Sequence, residues 1–350
     1  MENRVAYIRA DGSKKIGMGH LKRACIFSGA LRKKFKLNVK LIMKNEATAL
    51  KFLQNREIET VLIPEEISPE EELKYFNNFG KDQRPDLFVL DVLEQDTNPS
   101  YMETLNHLGC PVMAITDDSC RRAINADLIV NGNPNQLNQD YDGEKANYLL
   151  GPMYFIMEKE YGKLEVKEPG IQAKKVLLSL GGTDHNGLLF CVLKAIEKLK
   201  NKLEILIISS EASGYIDRLL EYIKKSSLAI KLLTDVDNLI PYWDKCDFAI
   251  TAGGNTLFER VATRLPGMTL CQLKRQMEIA DCFEALGVNI NIGYGPDIPD
   301  DVLSERIFEF IENKDQRFSQ YFRSPNVIDG KGLWRINNEI EKLMVMEGMR

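Results

Sequence analysis

The stretch Val5-Ala6-Tyr7-Ile8-Arg9-Ala10-Asp11-Gly12-Ser13-Lys14-Lys15-Ile16-Gly17-Met18-Gly19-His20 decides how this chain reads. An apolar run, Val5 to Ile8, passes into a glycine-rich turn, and a helical pattern follows from Leu21 to about Phe35. A strand, a turn and a helix opening, in that order, is where α/β proteins place phosphates and reacting groups. The histidine at the helix mouth is one of only three in 350 residues, which makes it the first candidate for chemistry. The positive end of a helix disfavours imidazolium and predicts a neutral, base-competent ring near neutral pH. Asp11 would orient that ring or offset the dipole. The alternative is a buried helix-start histidine bonded to backbone. Gly17 and Gly19 beside it are candidate contacts for a sugar or phosphate.

The rest of the first half repeats strand and helix. Apolar runs are predicted at Val39–Met43, Glu59–Ile63, Asp86–Asp91, Pro111–Ile115 and Ala126–Asn131, with helical patterns between them. Runs of four to six apolar residues separated by helices imply a mainly parallel, doubly wound sheet, whose ligands sit beyond the strand C-termini. Asp91, Asp117 and Asp118 fall at such strand ends, so they either share one edge with the opening loop, with Asp91 and Asp117 as candidate sugar or phosphate contacts, or serve as turn and helix-cap residues.

From Glu158 to Lys174 the chain turns polar, which predicts a linker (158–174) between a first domain (1–157) and a second (175–332). The tail, 333–350, is helical and is a candidate to pack back on the first domain. In the second half, Lys175–Leu180 runs into Gly181-Gly182-Thr183-Asp184-His185, and Asp247–Thr251 runs into Ala252-Gly253-Gly254-Asn255-Thr256-Leu257-Phe258-Glu259. A helix follows each turn, and a further helix is predicted over Val236–Lys245. Paired glycines permit positive φ and let N–H groups approach an anion, so both turns read as diphosphate cradles. Glu259 would accept from ribose hydroxyls or close a capping box with Thr256. Asp184 extends the sugar or phosphate set, and the polar loop Lys274-Arg275-Gln276 adds candidate nucleotide contacts. His185 is a second histidine candidate, whereas His107 reads as a surface or packing residue. Neither turn matches a P-loop or a GxGxxG fingerprint, which argues against ATPases and dehydrogenases.

Composition narrows the classes further. With 44% hydrophobic and 28% charged residues the chain can bury full-sized cores. A net charge of −5 with dispersed basic residues argues against a nucleic-acid surface. No run approaches the ~18 apolar residues of a membrane span. Glu2 and Arg4 lead straight into a strand, without the look of a secretory signal, so a cytoplasmic protein is expected. Seven scattered cysteines (Cys25, Cys110, Cys120, Cys191, Cys246, Cys271, Cys282), none in CxxC spacing, read as free thiols rather than a metal site.

Taken together, Ala10-Asp11-Gly12-Ser13, Ile16-Gly17-Met18-Gly19-His20, Asp117-Asp118, Gly151-Pro152-Met153-Tyr154, Gly181-Gly182-Thr183-Asp184, Ala252-Gly253-Gly254-Asn255-Thr256 to Glu259, and Asp329-Gly330-Lys331-Gly332 with Arg335 resemble one family in order and spacing. It comprises the pseudaminic-acid-pathway nucleotide-sugar hydrolases and the spore-coat polysaccharide proteins grouped with them. The resemblance implies a GT-B-like fold, two Rossmann-like doubly wound α/β domains facing a cleft. It implies release of UDP from UDP-2,4-diacetamido-2,4,6-trideoxy-β-L-altropyranose by water, with no metal or cofactor. By position, His20 would be the catalytic histidine, and Gly253, Gly254, Asn255, Thr256 and Glu259 would hold the nucleotide. Two differences stand out. The family often carries Asp-His-Tyr where this chain has Asp91-Val92-Leu93, and Asn-Gln where it has Arg275-Gln276. The first leans the chain toward the spore-coat branch; the second offers a phosphate-binding arginine or a solvated charge. Three functions follow: a hydrolase, a glycosyltransferase on the same fold, and a non-catalytic sugar-nucleotide binder. The transferase would want a basic or apolar acceptor patch, of which Leu31-Arg32-Lys33-Lys34-Phe35-Lys36 is a modest version or simply a solvated helix end.

Overall fold

The computed structural model describes residues 4–13, 15–82, 84–93, 99–117, 125–137, 147–164, 167–181, 184, 186–199, 203–234, 236 and 238–348. The chain divides into two compact units, Met1–Glu158 with Lys331–Arg350, and Lys159–Gly330.

The first unit runs β1 (Val5–Ala10), α1 (Gly19–Phe35), β2 (Asn38–Lys44), α2 (Ala47–Leu53), β3 (Glu59–Ile63), α3 (Pro69–Asp82), β4 (Leu87–Asp91), α4 (Pro99–Asn106), β5 (Val112–Ile115), β6 (Leu128–Asn131) and β7 (Asn147–Leu150). Its seven strands are all parallel, in the order β3-β2-β1-β4-β5-β6-β7. The order reverses between β1 and β4, where the register sets Ala10 beside Asp91. The loop after β1 and the end of β4 thus meet at the topological switch point, the usual place for ligands in such sheets. Alternation along β1 fills both faces. Ala6, Ile8 and Ala10 pack with Leu21, Phe27 and Leu31 of α1, while Val5 and Tyr7 pack with Phe76, Phe88 and Tyr101.

The second unit runs β8 (Lys175–Ser179), α5 (Leu188–Glu197), β9 (Glu204–Ser209), α6 (Ile216–Lys225), β10 (Ala229–Thr234), α7 (Ile240–Trp243), β11 (Phe248–Thr251), α8 (Asn255–Ala262), β12 (Gly267–Cys271), α9 (Arg275–Ala285), β13 (Asn291–Tyr294), α10 (Asp300–Glu312) and α11 (Lys314–Val327). Its six strands are again parallel, in the order β10-β9-β8-β11-β12-β13, so both glycine turns, after β8 and after β11, lie at this sheet's own switch point. The last helix, α12 (Gly332–Gly348), returns to the first unit. Leu333, Ile336 and Ile340 lie on one helical face and join the α1 side of the core. At roughly 1.5–3 kcal/mol for each buried side chain, that stripe is enough to hold the chain end.

The doubly wound α/β reading holds for both units. Several local expectations do not. The predicted helix over Val236–Lys245 contracts to Ile240–Trp243, with Pro241 in its first turn, where a missing N–H costs nothing. Lys274-Arg275-Gln276 is not a loop but the cap and opening turn of α9. From Lys159 on, the described residues of the stretch read as a linker belong to the second unit. Tyr161 is buried and accepts from Trp243 Nε1 at 3.4 Å, and the buried Arg317 donates to the carbonyls of Gly170 and Ile171. β7, β13, α10 and α11 had no counterpart in the sequence reading.

Candidate active site

The loop after β1 closes on itself. Gly17 takes φ +84°, its N–H donates to Ser13 O at 2.8 Å, and Ser13 N returns a bond to Gly17 O at 3.3 Å. Ser13 Oγ accepts from the amides of Lys15 and Ile16 at 3.2 Å. The amide expected to greet a phosphate at Gly17 is therefore spent inside the turn, and the glycine is there for its left-handed φ. Helix α1 then opens at Gly19 without a side-chain cap from Met18, and its first backbone bond is Lys22 N to Met18 O, 2.9 Å. The amides of Gly19, His20 and Leu21 precede that bond and stay available at the helix mouth.

His20 sits in the first turn of α1 with its side chain 11% exposed. Its Nδ1 lies 2.7 Å from Asp91 Oδ1. That distance to a carboxylate oxygen calls for the proton on Nδ1, so that in the neutral ring Nε2 is the lone-pair nitrogen. One turn on, Arg23 spreads its fork across two carboxylates. Nε donates to Asp91 Oδ2 (2.8 Å) and Nη2 to Asp91 Oδ1 (2.5 Å), while Nη1 and Nη2 donate to Asp117 Oδ1 and Oδ2 (2.8 and 3.0 Å). Asp91 is fully buried and Asp117 is exposed. Burial alone would push the Asp91 carboxyl up, but Arg23 and His20 hold it down at about 2.

Two expectations about His20 are corrected here. Burial disfavours its charged form, as does Arg23, yet the Asp91 carboxylate, with Asp117 behind it, outweighs them and raises the ring above 6.5. The ion pair at 2.7 Å prevails over the helix dipole. Asp11 does not orient the ring; Asp91 does. The Asp11 carboxylate is held by Arg9 at 2.7 Å and by the amide of Lys44 at 2.8 Å. Arg9 is itself buried, and its other partner is Glu72, which accepts from Tyr101 Oη at 2.6 Å. This set ties β1, β2, α3 and α4 together one strand position behind the histidine. Sequence reasoning also missed Arg23. Its signal is spacing: an arginine at i+3 from the histidine lies on the same helical face and can answer carboxylates at strand ends.

In the second unit, Gly181 adopts φ +92° with open space where a Cβ would lie. Gly182, Thr183, His185 and Asp118 lie outside the described residues. Asp184, buried and at φ +35°, accepts from the amides of Leu188 (2.9 Å) and Leu189 (3.1 Å) and from Gln272 Nε2, so its carboxylate caps α5. It faces inward, away from the sugar or phosphate role expected of it. Gly253 and Gly254 are not left-handed, and Gly254 is extended at φ −101°. What Gly253 provides is room: a Cβ there would sit 2.8 Å from Gln276 Cβ and 3.2 Å from Cys271 Sγ. Asn255 and Thr256 form the first turn of α8 with side chains reaching the surface, and Leu257 N makes the first backbone bond, to Gly254 O (2.9 Å). Thr256 is inside the helix and not its cap, which removes the capping-box reading of Glu259; Glu259 is buried one turn further on. Gln276 Oε1 accepts from Gln272 N at 2.8 Å, which points its Nε2 toward Gly254. Arg275 is exposed at the opening of α9.

Among the described residues no cluster of three His, Cys, Asp or Glu side chains forms, and the six described cysteines are free. No described helix is long and apolar enough to cross a membrane. His107 is exposed just beyond α4. In the basic stretch at the end of α1, Lys34 pairs with Glu341 at 2.8 Å and Arg32 bonds Ser28 Oγ and Glu57 O.

No family model matches the chain. The chain is 23% identical to the spore coat polysaccharide biosynthesis protein SpsG of Bacillus subtilis over 345 residues, 97% of this chain and 98% of that protein. It is 21% identical over 292 residues to the UDP-2,4-diacetamido-2,4,6-trideoxy-beta-L-altropyranose hydrolase of Campylobacter jejuni, covering 82% of this chain and 98% of the hydrolase. Among solved structures, Acinetobacter baumannii MurG superposes with a TM-score of 0.71 at 14% identity, over 97% of this chain and 99% of that one. These findings bear out the family resemblance read from the sequence, and the fold is that of the GT-B glycosyltransferases.

Proposed function

We propose that this relative of the spore-coat and altropyranose-hydrolase proteins is a nucleotide-sugar hydrolase that releases UDP from a UDP-2,4-diacetamido-2,4,6-trideoxyhexose, with water activated by His20. The observation that carries the reading is the His20–Asp91 pair. Nδ1–H is fixed on a buried carboxylate at 2.7 Å, and no described residue bonds Nε2. In this reading Nε2 takes a proton from water as its oxygen attacks the anomeric carbon. The C1–O bond breaks, its electron pair leaves with UDP, and the imidazolium formed is matched by Asp91. A positioned base of this kind contributes on the order of 10²–10⁴ in rate. The amides of Asn255 and Thr256, with Arg275 and Gln276, are assigned to the diphosphate, and Glu259 to the ribose.

A second reading is favoured by the glycosyltransferase fold: the same base would deprotonate an acceptor hydroxyl instead of water. Incubating the protein with UDP-2,4-diacetamido-2,4,6-trideoxy-β-L-altropyranose and a panel of UDP-sugars, with no acceptor, separates the two. UDP release above background supports hydrolysis, and release only on adding an acceptor supports transfer. Tight binding with no turnover in either case would make the protein a binder and overturn both. His20→Ala is expected to abolish turnover while UDP binding is retained; undiminished turnover would remove His20 from the mechanism.

A further inference from the structure

Arg23 is the charged group closest to the proposed base that the sequence alone did not single out. Its guanidinium makes four N–H bonds to carboxylates, two on Asp91 and two on Asp117. It also lies 3.1 Å from His20 Nδ1 through Nη2. Because that nitrogen already carries its proton toward Asp91, the Arg23 contact is not a second hydrogen bond. Both cations instead share Asp91 Oδ1, His20 at 2.7 Å and Arg23 at 2.5 Å. The charged groups acting on His20 are thus Asp91 from β4, Arg23 from its own helix and Asp117 from the loop after β5. Counted at neutral pH, they leave one uncompensated negative charge beside a neutral ring and none beside a protonated one.

We propose that Arg23 is a positioning residue for the reaction assigned to His20: its fork holds Asp91 ionised and oriented toward Nδ1, and its charge limits how tightly the ring keeps a proton. The inference rests on the His20 reading. Without Arg23, two carboxylates would face the ring and hold its proton more tightly, which weakens it as a base at neutral pH. With Arg23 alone and no Asp117, the balance would tip the other way.

The chain has only three histidines, so the His20 ring can be followed by NMR titration without any substrate, with His20→Gln assigning its signal. In Arg23→Gln the His20 midpoint is expected to rise by about one pH unit. The acidic limb of kcat should rise with it, giving a loss of roughly tenfold or more at pH 7 that recovers only in part at high pH, because the fork is lost as well, with KM for the nucleotide sugar little changed. In Asp117→Asn, an exposed position, the midpoint is expected to fall. A midpoint that stays put or falls in a folded Arg23→Gln protein overturns the proposal, as does one that rises in Asp117→Asn. Arg23→Lys decides the matter if the glutamine variant does not fold. It keeps the charge but loses the fork, so its midpoint should match the parent while kcat drops; an undiminished kcat overturns the positioning role. A protein that releases no UDP from any sugar nucleotide would sink the hydrolase reading, while the ring titrations would still report on Arg23.

Discussion

Replacing Asp91 by asparagine removes the charge that His20 and Arg23 share while keeping the shape of the side chain. Unit charges about 3 Å apart attract by roughly 5–6 kcal/mol at an effective dielectric near 20, and burying the carboxylate takes much of that back. A gauge of the net is the carboxyl's ionisation at about 2 instead of 3.8, which corresponds to about 2–3 kcal/mol of stability at neutral pH. Removing one partner of a buried pair usually costs ~3–5 kcal/mol. Because the amide still offers one acceptor, Asp91→Asn should cost about 2–4 kcal/mol, a fall of about 1–2 M in the urea midpoint followed by circular dichroism. The pH dependence has a definite sign. A depressed carboxyl contributes stability that is present above its ordinary value of 3.8 and lost as pH falls through about 2. The raised His20 ring contributes stability that is complete below 6.5 and lost as pH climbs through its folded value. The penalty of the variant should therefore be largest between about pH 4 and 6.5, and smaller both near pH 2.5 and at pH 9. An equal penalty at all three, or a variant within about 0.5 kcal/mol of the parent at pH 5.5, would refute the reasoning.

Other substitutions probe the second unit. Gly253→Ala places a methyl 2.8 Å from Gln276 Cβ, beside a backbone carbonyl at 3.3 Å; we expect a loss of about 1–3 kcal/mol in thermal or urea unfolding and weaker UDP binding by calorimetry. Asp184→Ala removes two amide bonds at the start of α5 and leaves a side chain at φ +35°. It should cost about 2–3 kcal/mol, and Asp184→Gly less, since glycine accepts that φ; the reverse order in urea unfolding would count against the strain argument. Arg275→Gln, at an exposed position, should leave stability within about 0.5 kcal/mol. Affinity for UDP, which the proposed phosphate contact supports, should fall severalfold, and unchanged affinity would remove Arg275 from the site.

The doubly wound plan was legible because buried parallel strands are short apolar runs, and Val5–Ile8, Val112–Ile115 and Phe248–Thr251 show them plainly. β7 was not, because Asn147-Tyr148-Leu149-Leu150 is an edge strand with an exposed start and few β-branched residues. At the candidate site the sequence pointed to His20, whose place at a helix opening is a local feature. The partner of its ring was misassigned to Asp11 because the true pairing depends on strand order. Asp91 is 71 residues away and arrives only because β4 lies against β1. The direction in which its surroundings push the ring was misjudged for the same reason, since a helix dipole can be read from sequence but a buried carboxylate brought in by topology cannot. Arg23 stayed invisible because its function is defined by Asp91 and Asp117 together, two strand ends that only the β1-β4-β5 order makes neighbours. In the second unit the sequence offered the glycine turns as anion cradles; at Gly253 the constraint the structure shows is the side chain of Gln276, on a helix that the sequence presented as a loop.

The central claim, that water guided by His20 attacks the sugar's anomeric carbon, is tested most directly in ¹⁸O-labelled water. With UDP-2,4-diacetamido-2,4,6-trideoxy-β-L-altropyranose as substrate and no acceptor present, mass spectrometry should find the UDP formed free of label, and His20→Ala should form none above background. Label in the terminal phosphate of UDP would place the attack at phosphorus, and an absence of UDP would mean that water is not the acceptor; either result contradicts the account.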